Sequence, residues 1–578
     1  MPGLLELLAD HIQPAFDRVA PGADPVLRTS TRPGVDVQAN GALAVAKRLG
    51  RPPAEVAAEV AAAADLTGVA AVEVAPNGFL NLTLEEEWLA ARLGEQAADP
   101  RLGRSIAASP LTVVVDYSAP NVAKEMHAGH LRTTIIGDAL VRLLSDAGHR
   151  VIRENHVGDW GTPFGMLIEH LLEVGEDAGA AELSVGDLDG FYRDARAAFD
   201  ASEELQERAR RRVVLLQSGD SETLRLWRVL VDQSVAHFTD VYRRLGVLLQ
   251  PEDVAGESSY DPLLAGVVAD LEAKGLLVES DGARCVFPEG FANRDGQPLP
   301  LIVQKSDGGY NYATSDLAAV RERFGRLGAD LALYVVGAPQ ALHFQMVFAV
   351  ARAAGWIPPG ADAVHVAFGN MLGADRKMFR TRSGETVKLS ELVDEAVERA
   401  AAAVAEKSRE LGADERAAVA DAVGIGALKY ADLSTDRQRD YVFEWDRMLA
   451  FEGNTAPYLQ YAHARIRSIF RRGGLDEASY RWGKWAAAVS EPSERALATS
   501  LLGFDSAVAS TIQSYSPHKL CGYLFELAGA FTTFYESCPV LRAEDAATRD
   551  GRLVLCAVTA AVLEAGLGLL GIQTPERM

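Results

Sequence analysis

Residues 118–133 read SAPNVAKEMHAGHLRT and place His127 and His130 three apart around Gly129, with Lys124 just upstream. Four chemistries are open to such a cluster: a metal site, a phosphate cradle, a pH switch, or polar side chains capping a helix. Zinc is the weakest, because a metalloprotease helix needs HExxH and the chain has no such triplet. Phosphate suits the position better. The first N–H groups of a helix lack partners and its dipole is positive there. Imidazoles beside that end can donate to charge developing on a phosphoryl oxygen, and Gly129 lets a ribose or base approach the backbone.

Elements on either side must position this cluster. The run LTVVVDYS before it is continuously apolar, as expected of a buried parallel strand, and HAGHLRTTIIGDALVRLLSDAG predicts a helix from about His127 that stops at Gly148. HRVIREN gives a second strand, which completes a strand–helix–strand unit and puts the histidines at the carboxyl end of a sheet, where ligands bind. LPLIVQKS, LALYVVG and AVHVAFG predict further strands, alternating with helical stretches such as LAAVRERFGRLG. Residues 180–296 are mostly charged and helical, as an insertion would be. Beyond about residue 446 only helical patterns remain, including YLQYAHARIRSIFRR.

Composition narrows the function. A chain of 578 residues exceeds one core, so two to four domains are expected. A net charge of −23 argues against non-specific affinity for nucleic acid or acidic membranes, so a polyanion must meet a local basic surface. Cys285, Cys521, Cys538 and Cys556 are far apart and form no CxxC pair, which fits a reducing cytoplasm. The opening segment carries Glu6 and Asp10 where a leader would be basic, and is expected to stay on the mature protein. Cys556–Ile572 is apolar but interrupted by Glu564, and reads as a core helix.

HAGH resembles the HIGH signature of class I aminoacyl-tRNA synthetases, and DYSAPNVAKEMHAGHLRTTIIGDAL is similar to the form it takes in arginyl-tRNA synthetases. NHVGDWGTPFGMLIEHL, SDGGYNYATSDLAA, ALHFQMVFAV, FEWDRMLAFEGNTAPYLQYAHARIRS and LGIQTPERM continue the resemblance in order to the end of the chain. The family's reaction joins arginine and ATP into arginyl-adenylate, then passes the arginyl group to the terminal adenosine of tRNA. A planar cation with five donors calls for carboxylates in fixed positions. Asp116 and Asp316 are the candidates, and the resemblance adds Tyr312, Asn121 and Gln340 to the arginine site. Read locally, Asp316 in TSDL would serve equally as a helix cap, and Asp116 and Asn121 as strand-end turn residues.

By the same resemblance His127, Gly129 and His130 meet ATP, with Met378 and Phe379 from RKMFRTRSGET, residues 376–386. That loop stands where the KMSKS signature should be and lacks its second lysine. Relatives without the signature often carry a lysine just upstream of HIGH, so Lys124 is the expected phosphate cation and Arg380 the competitor. Near the start, NGFLN resembles a segment meeting the tRNA elbow, with Phe79 stacking on a base and Asn81 bonding it. Arg465, Arg467, Arg471 and Arg472 form a local footprint for a phosphate backbone.

The resulting expectation is a cytoplasmic, monomeric enzyme. It has an N-terminal α/β add-on domain with connector (1–110), a doubly wound Rossmann-type catalytic domain (111–179 and 297–445) split by an insertion (180–296), and an all-helical anticodon-binding domain (446–578). Its partners are tRNA(Arg), L-arginine and ATP with Mg2+, with no membrane and no tightly bound metal or organic cofactor. The insertion looks short for an editing domain, which arginine's distinctive hydrogen bonding makes less necessary. Two rivals stand: a nucleotidyltransferase sharing HxGH, and a paralogue binding tRNA or arginine as a regulator or resistance factor.

Overall fold

The strand Thr112–Asp116 is buried through Val113, Val114 and Val115, none of which exposes measurable surface. Such a run needs neighbours on both edges and cover on both faces. In the computed structural model, which describes residues 3–578 except 31, 33, 177–178, 180–187, 380–386, 409 and 484–485, it has them. Four parallel strands run in the order Asp362–His365, Leu331–Tyr334, Thr112–Asp116, Arg150–Glu154. Strand order reverses beside Thr112–Asp116: its sequence neighbour Arg150–Glu154 lies on one side and the later Leu331–Tyr334 on the other. A crevice opens at the carboxyl ends at such a reversal. Asp116 and Tyr334, paired in register, mark it.

The chain divides into two compact units. One comprises Ala107–Arg399 and Thr435–Trp445 and holds this sheet; the other comprises Met1–Ile106, Ala400–Ser434 and Asp446–Met578. In the first unit the helix Ala128–Asp146 follows the first strand, and Gly148 then turns the chain with a φ of 85°. The run expected to supply another strand of the parallel sheet, Leu301–Gln304, instead closes a three-stranded antiparallel sheet with Val278–Ser280 and Ala283–Val286. The last two fall in the stretch read as helical. Both are short; Val278–Ser280 is largely exposed and Ala283–Val286 buries only the adjacent Cys285 and Val286, so no apolar alternation announces them.

In the second unit, the helices Leu4–Val19, Ala42–Leu49 and Pro53–Ala63 are followed by the strands Ala70–Val74 and Leu80–Leu84. Two further short strands, Leu27–Thr29 and Val37–Ala39, complete an antiparallel sheet. The stretch expected as a connector, AARLGEQAADPRLGRSIAASP (residues 90–110), begins inside the helix Glu86–Ala98. The helix Ala546–Leu569 is long and apolar enough to cross a membrane, yet 83% of its most apolar window is buried in the protein. Burial among its own neighbours is what the core-helix reading expected.

Candidate active site

His127 is the N-cap of the helix Ala128–Asp146, a place more often held by Ser, Thr, Asp or Asn. Its Nδ1 accepts from the Gly129 N–H at 3.0 Å, while its own N–H donates to His130 Nδ1 at 3.1 Å. Two imidazoles thus form a reciprocal capping box. A Cβ on residue 129 would stand 2.8 Å from the His127 ring, so glycine is what lets the ring lie over the helix end. The ring centres of His127 and His130 are 3.9 Å apart.

This arrangement fixes tautomers. An imidazole whose Nδ1 accepts carries its proton on Nε2, so each ring presents an Nε2–H donor. Burial, then the neighbouring His127, pushes His130 down to about 3. Burial also lowers His127, with Asp189 opposing and Lys124 adding to the shift. Both rings are therefore neutral at physiological pH, which removes the pH switch from the four readings. The backbone cradle changes as well. The N–H groups of Ala128, Gly129 and His130 already donate to Val387 O, His127 Nδ1 and His127 O. The imidazoles, more than the bare helix end, are the donors left for a ligand.

The turn leading into the cap is strained: Ser118, Ala119 and Ala123 have φ of 77°, 48° and 59°. Its holders went unnoticed in the sequence. The Ser118 N–H donates to Thr133 Oγ1, and the Ser118 hydroxyl meets the Tyr242 hydroxyl at 2.7 Å. Ala119 N–H donates to Asn155 Oδ1, and Ala123 N–H to Ser234 Oγ. Ser234 and Tyr242 belong to the helix Ser221–Leu245, inside the stretch read merely as an insertion.

Lys124 is exposed, with its ammonium 4.5 Å from the centre of the Tyr192 ring. The contact holds the cation beside the helix start while being weak enough, at about 0.5–1 kcal/mol, to yield to a phosphate. Met378 is 53% exposed, and the Phe379 ring lies 4.6 Å from that of Phe443. Arg380 lies outside the described residues. Beyond the loop the chain returns to the cap: Leu389 N–H donates to Met126 O, Ala128 N–H to Val387 O, and Lys388 Nζ lies 2.5 Å from Glu125 Oε1.

Two of the arginine candidates, Tyr312 and Asp316, lie on one helix, Tyr312–Gly325. Its N-cap is Asn311, whose side chain accepts from Ala313 and Thr314, so the cap reading of Asp316 is overturned. Asp316 sits a turn inside, and its carboxylate meets His343 Nε2. Tyr312, on the same face, is 67% exposed, unusual for a tyrosine with no work at the surface. Gln340 ends the short turn that starts the helix carrying His343. Asn121 is held against the backbone of Gly158, where a Cβ would come within 2.3 Å of its Oδ1.

Asp116 has an internal partner. Arg323 is 1% exposed and donates from Nη2 to Asp116 at 2.8 Å and from Nε to Glu154 at 2.6 Å. Burial alone would lower it, but Tyr334, Asp116 and Glu154 hold it well above the ordinary arginine value. Arg323 thereby bolts the helix of Tyr312 and Asp316 to the ends of two strands. One signal existed in the sequence: Arg323 follows Val320 by three, on the face that buries Leu317 and Phe324.

In the other unit Asn81 is only 1% exposed, with Gln38 donating to its Oδ1 at 2.8 Å. Phe79 is half-buried beside it. Arg465 lies 4.3 Å from the centre of the Tyr535 ring, and Arg472 donates to Ser468 O and Tyr535. Arg471 donates to Glu576 O. Arg467 departs from this pattern, being surrounded by Glu477, Glu564 and Glu576 at 2.8, 2.9 and 3.8 Å. Three carboxylates leave it no net charge for a phosphate backbone, and it clamps the chain end instead.

A sheet with this strand reversal and an HxGH cap at its crevice is common to nucleotidyltransferases and class I aminoacyl-tRNA synthetases, and the whole chain places it in the second class. Residues 99–445 match the family model for tRNA synthetases class I (R), catalytic domain; residues 4–84 match the arginyl tRNA synthetase N terminal domain, and residues 459–578 the DALR anticodon binding domain. The chain belongs to the arginyl-tRNA synthetase family. It is 56% identical over 507 residues to the arginine–tRNA ligase of Thermobifida fusca, covering 88% of this chain and 87% of that protein. Against that of Edwardsiella ictaluri identity is 50% over 524 residues, 90% of each. The crystal structure of arginyl-tRNA synthetase from Plasmodium falciparum matches with a TM-score of 0.85 at 27% identity, covering all of both chains.

Proposed function

We propose that the paired imidazole cap, with its two neutral Nε2–H donors at the strand-end crevice, is the centre at which this arginine–tRNA ligase activates arginine. The arginine carboxylate attacks the α-phosphorus of ATP, a new P–O bond forms, and pyrophosphate leaves. The arginyl group then passes to a hydroxyl of the terminal adenosine of tRNA, and AMP leaves. Charge develops on the α-phosphate and pyrophosphate oxygens, where fixed donors act most strongly. His127 and His130 serve the first and Lys124 the second, with Met378 and Phe379 beside the nucleotide. Mg2+ arrives on ATP, whose phosphate oxygens suit a hard cation. The enzyme works as a cytoplasmic monomer. Arg465, Arg471, Arg472 and Phe79 supply its tRNA surface, and Asn81 acts through Gln38.

The cation pocket is formed by Asp316, Tyr312, Asn121 and Gln340, with Asp116 supporting it through Arg323. Asp316→Asn keeps the shape and removes the charge. It is expected to weaken arginine by about 1.5–3 kcal/mol with little change in stability, because Asn311 carries the cap. An unchanged KM for arginine in ATP–pyrophosphate exchange, run with tRNA present, would remove Asp316 from the site.

Lys124→Ala is expected to lower kcat of activation by roughly 10² with arginine binding nearly unchanged, the mark of a contact made mainly in the transition state. Lys124→Arg should recover only part, since a planar fork replaces a compact charge. If Arg380→Ala proves the crippling change and Lys124→Ala stays near the parent rate, the loop carries the pyrophosphate.

A further inference from the structure

Asp316 does not face its ligand unaided. From the helix Ala341–Ala353, His343 reaches across so that its Nε2 lies 2.6 Å from Asp316 Oδ2. A carboxylate accepts, so Nε2–H is the donor. The same imidazole lies 5.0 Å, centre to centre, from the Tyr312 ring, with planes tilted by 59°. Behind it a ladder of rings leads back to the sheet. Phe344 stands edge-on to His343 at 5.4 Å, and Tyr334 and His365 stand 5.3 and 5.2 Å from Phe344. Tyr334 and His365 end two adjacent parallel strands. Among the described residues Asp316 Oδ1 has no hydrogen-bond partner.

We propose that His343 is a positioning residue for arginine recognition. It fixes the Asp316 carboxylate by one oxygen, so the other is presented to the guanidinium in a single direction, and it holds the Tyr312 ring alongside. A guanidinium fork is read by geometry as much as by charge, so a carboxylate free to turn loses affinity through the freedom it must surrender. The proposal rests on the assignment of Asp316 to the guanidinium.

Three variants of the full chain separate the roles of the imidazole. His343→Ala removes donor and ring. His343→Phe keeps a ring against Tyr312 without a donor. His343→Gln keeps a donor at similar reach without the ring. In exchange assays with saturating ATP and tRNA, His343→Ala and His343→Phe should each raise KM for arginine by about tenfold, the weight of one hydrogen bond to a charged group, with kcat altered by less than about twofold. His343→Gln should recover most of the loss. In an Asp316→Asn background, His343→Ala should add less than about twofold, because the group it acts through has lost its charge. Should His343→Ala fail to fold, the Phe and Gln pair carries the test. Full arginine affinity in His343→Phe alongside weakened binding in Asp316→Asn overturns the proposal while leaving the Asp316 assignment intact. An unchanged KM in Asp316→Asn overturns both.

Discussion

Arg323→Leu is expected to lower the unfolding free energy by about 3–5 kcal/mol, among the largest effects open to one substitution in this chain. The guanidinium is fully buried between Asp116 and Glu154, and each carboxylate exposes only 10% of its side chain. Removing the cation strands two like charges in a site built to be dry. Arg323→Lys should fall between, since one ammonium cannot reproduce a fork that reaches two strands at once. Urea unfolding of the purified chain gives the number, and a loss under about 1 kcal/mol would mean that the triad is hydrated and bears no load. The folded fraction of Arg323→Lys should also bind arginine more weakly, because the bolt sets the position of Tyr312 and Asp316.

His127→Ala should reduce kcat of activation by roughly 10²–10³, the range for removing one preorganised donor from developing charge. Two roles are lost together, the cap and the Nε2–H donor, and His127→Asn divides them. Asparagine is a good N-cap and can accept from Gly129, but its amide ends short of where Nε2 stands. Stability should return in His127→Asn while the rate does not. If the rate recovers as well, His127 is a cap and the phosphate lies elsewhere. His130, held near 3, should impose no titration on activation between about pH 6 and 8, and burial shifts His127 in the same direction, away from the neutral range. The sign for stability follows. His130 falls to about 3 from an ordinary 6.5, so its contribution is fully present above about 6.5 and is lost as pH falls toward 3.

What was legible in the sequence is local. The strand TVVVD, the helix behind HAGH and the helical end of the chain follow from periodicity, and the cluster of motifs named the family. What was hidden is set by residues distant in sequence. Asp316 looked like a cap because nothing in TSDL reveals that Asn311 has already taken that place. Asp116 looked free because its partner lies 207 residues away. Arg467 looked like part of a phosphate footprint until Glu477, Glu564 and Glu576 gathered around it. Asn81 reads as an amide free to bond a base, and alternation does set it on the face opposite Leu80, Leu82 and Leu84, but Gln38 and Glu73 on the two flanking strands engage its side chain. His343 lies within ALHFQMVFAV, where a lone histidine on an apolar helix face carries no sign of what it touches.

The central claim is that the capped histidine pair and the Asp316 pocket together attach arginine to tRNA. The most direct measurement is attachment of each labelled amino acid to unfractionated tRNA by the purified full chain. The account predicts that arginine alone is attached, that ATP is required, and that at low arginine concentration Asp316→Asn slows attachment by about tenfold or more. Binding of tRNA without transfer of arginine, as a regulatory paralogue would show, or attachment of a different amino acid, would contradict it.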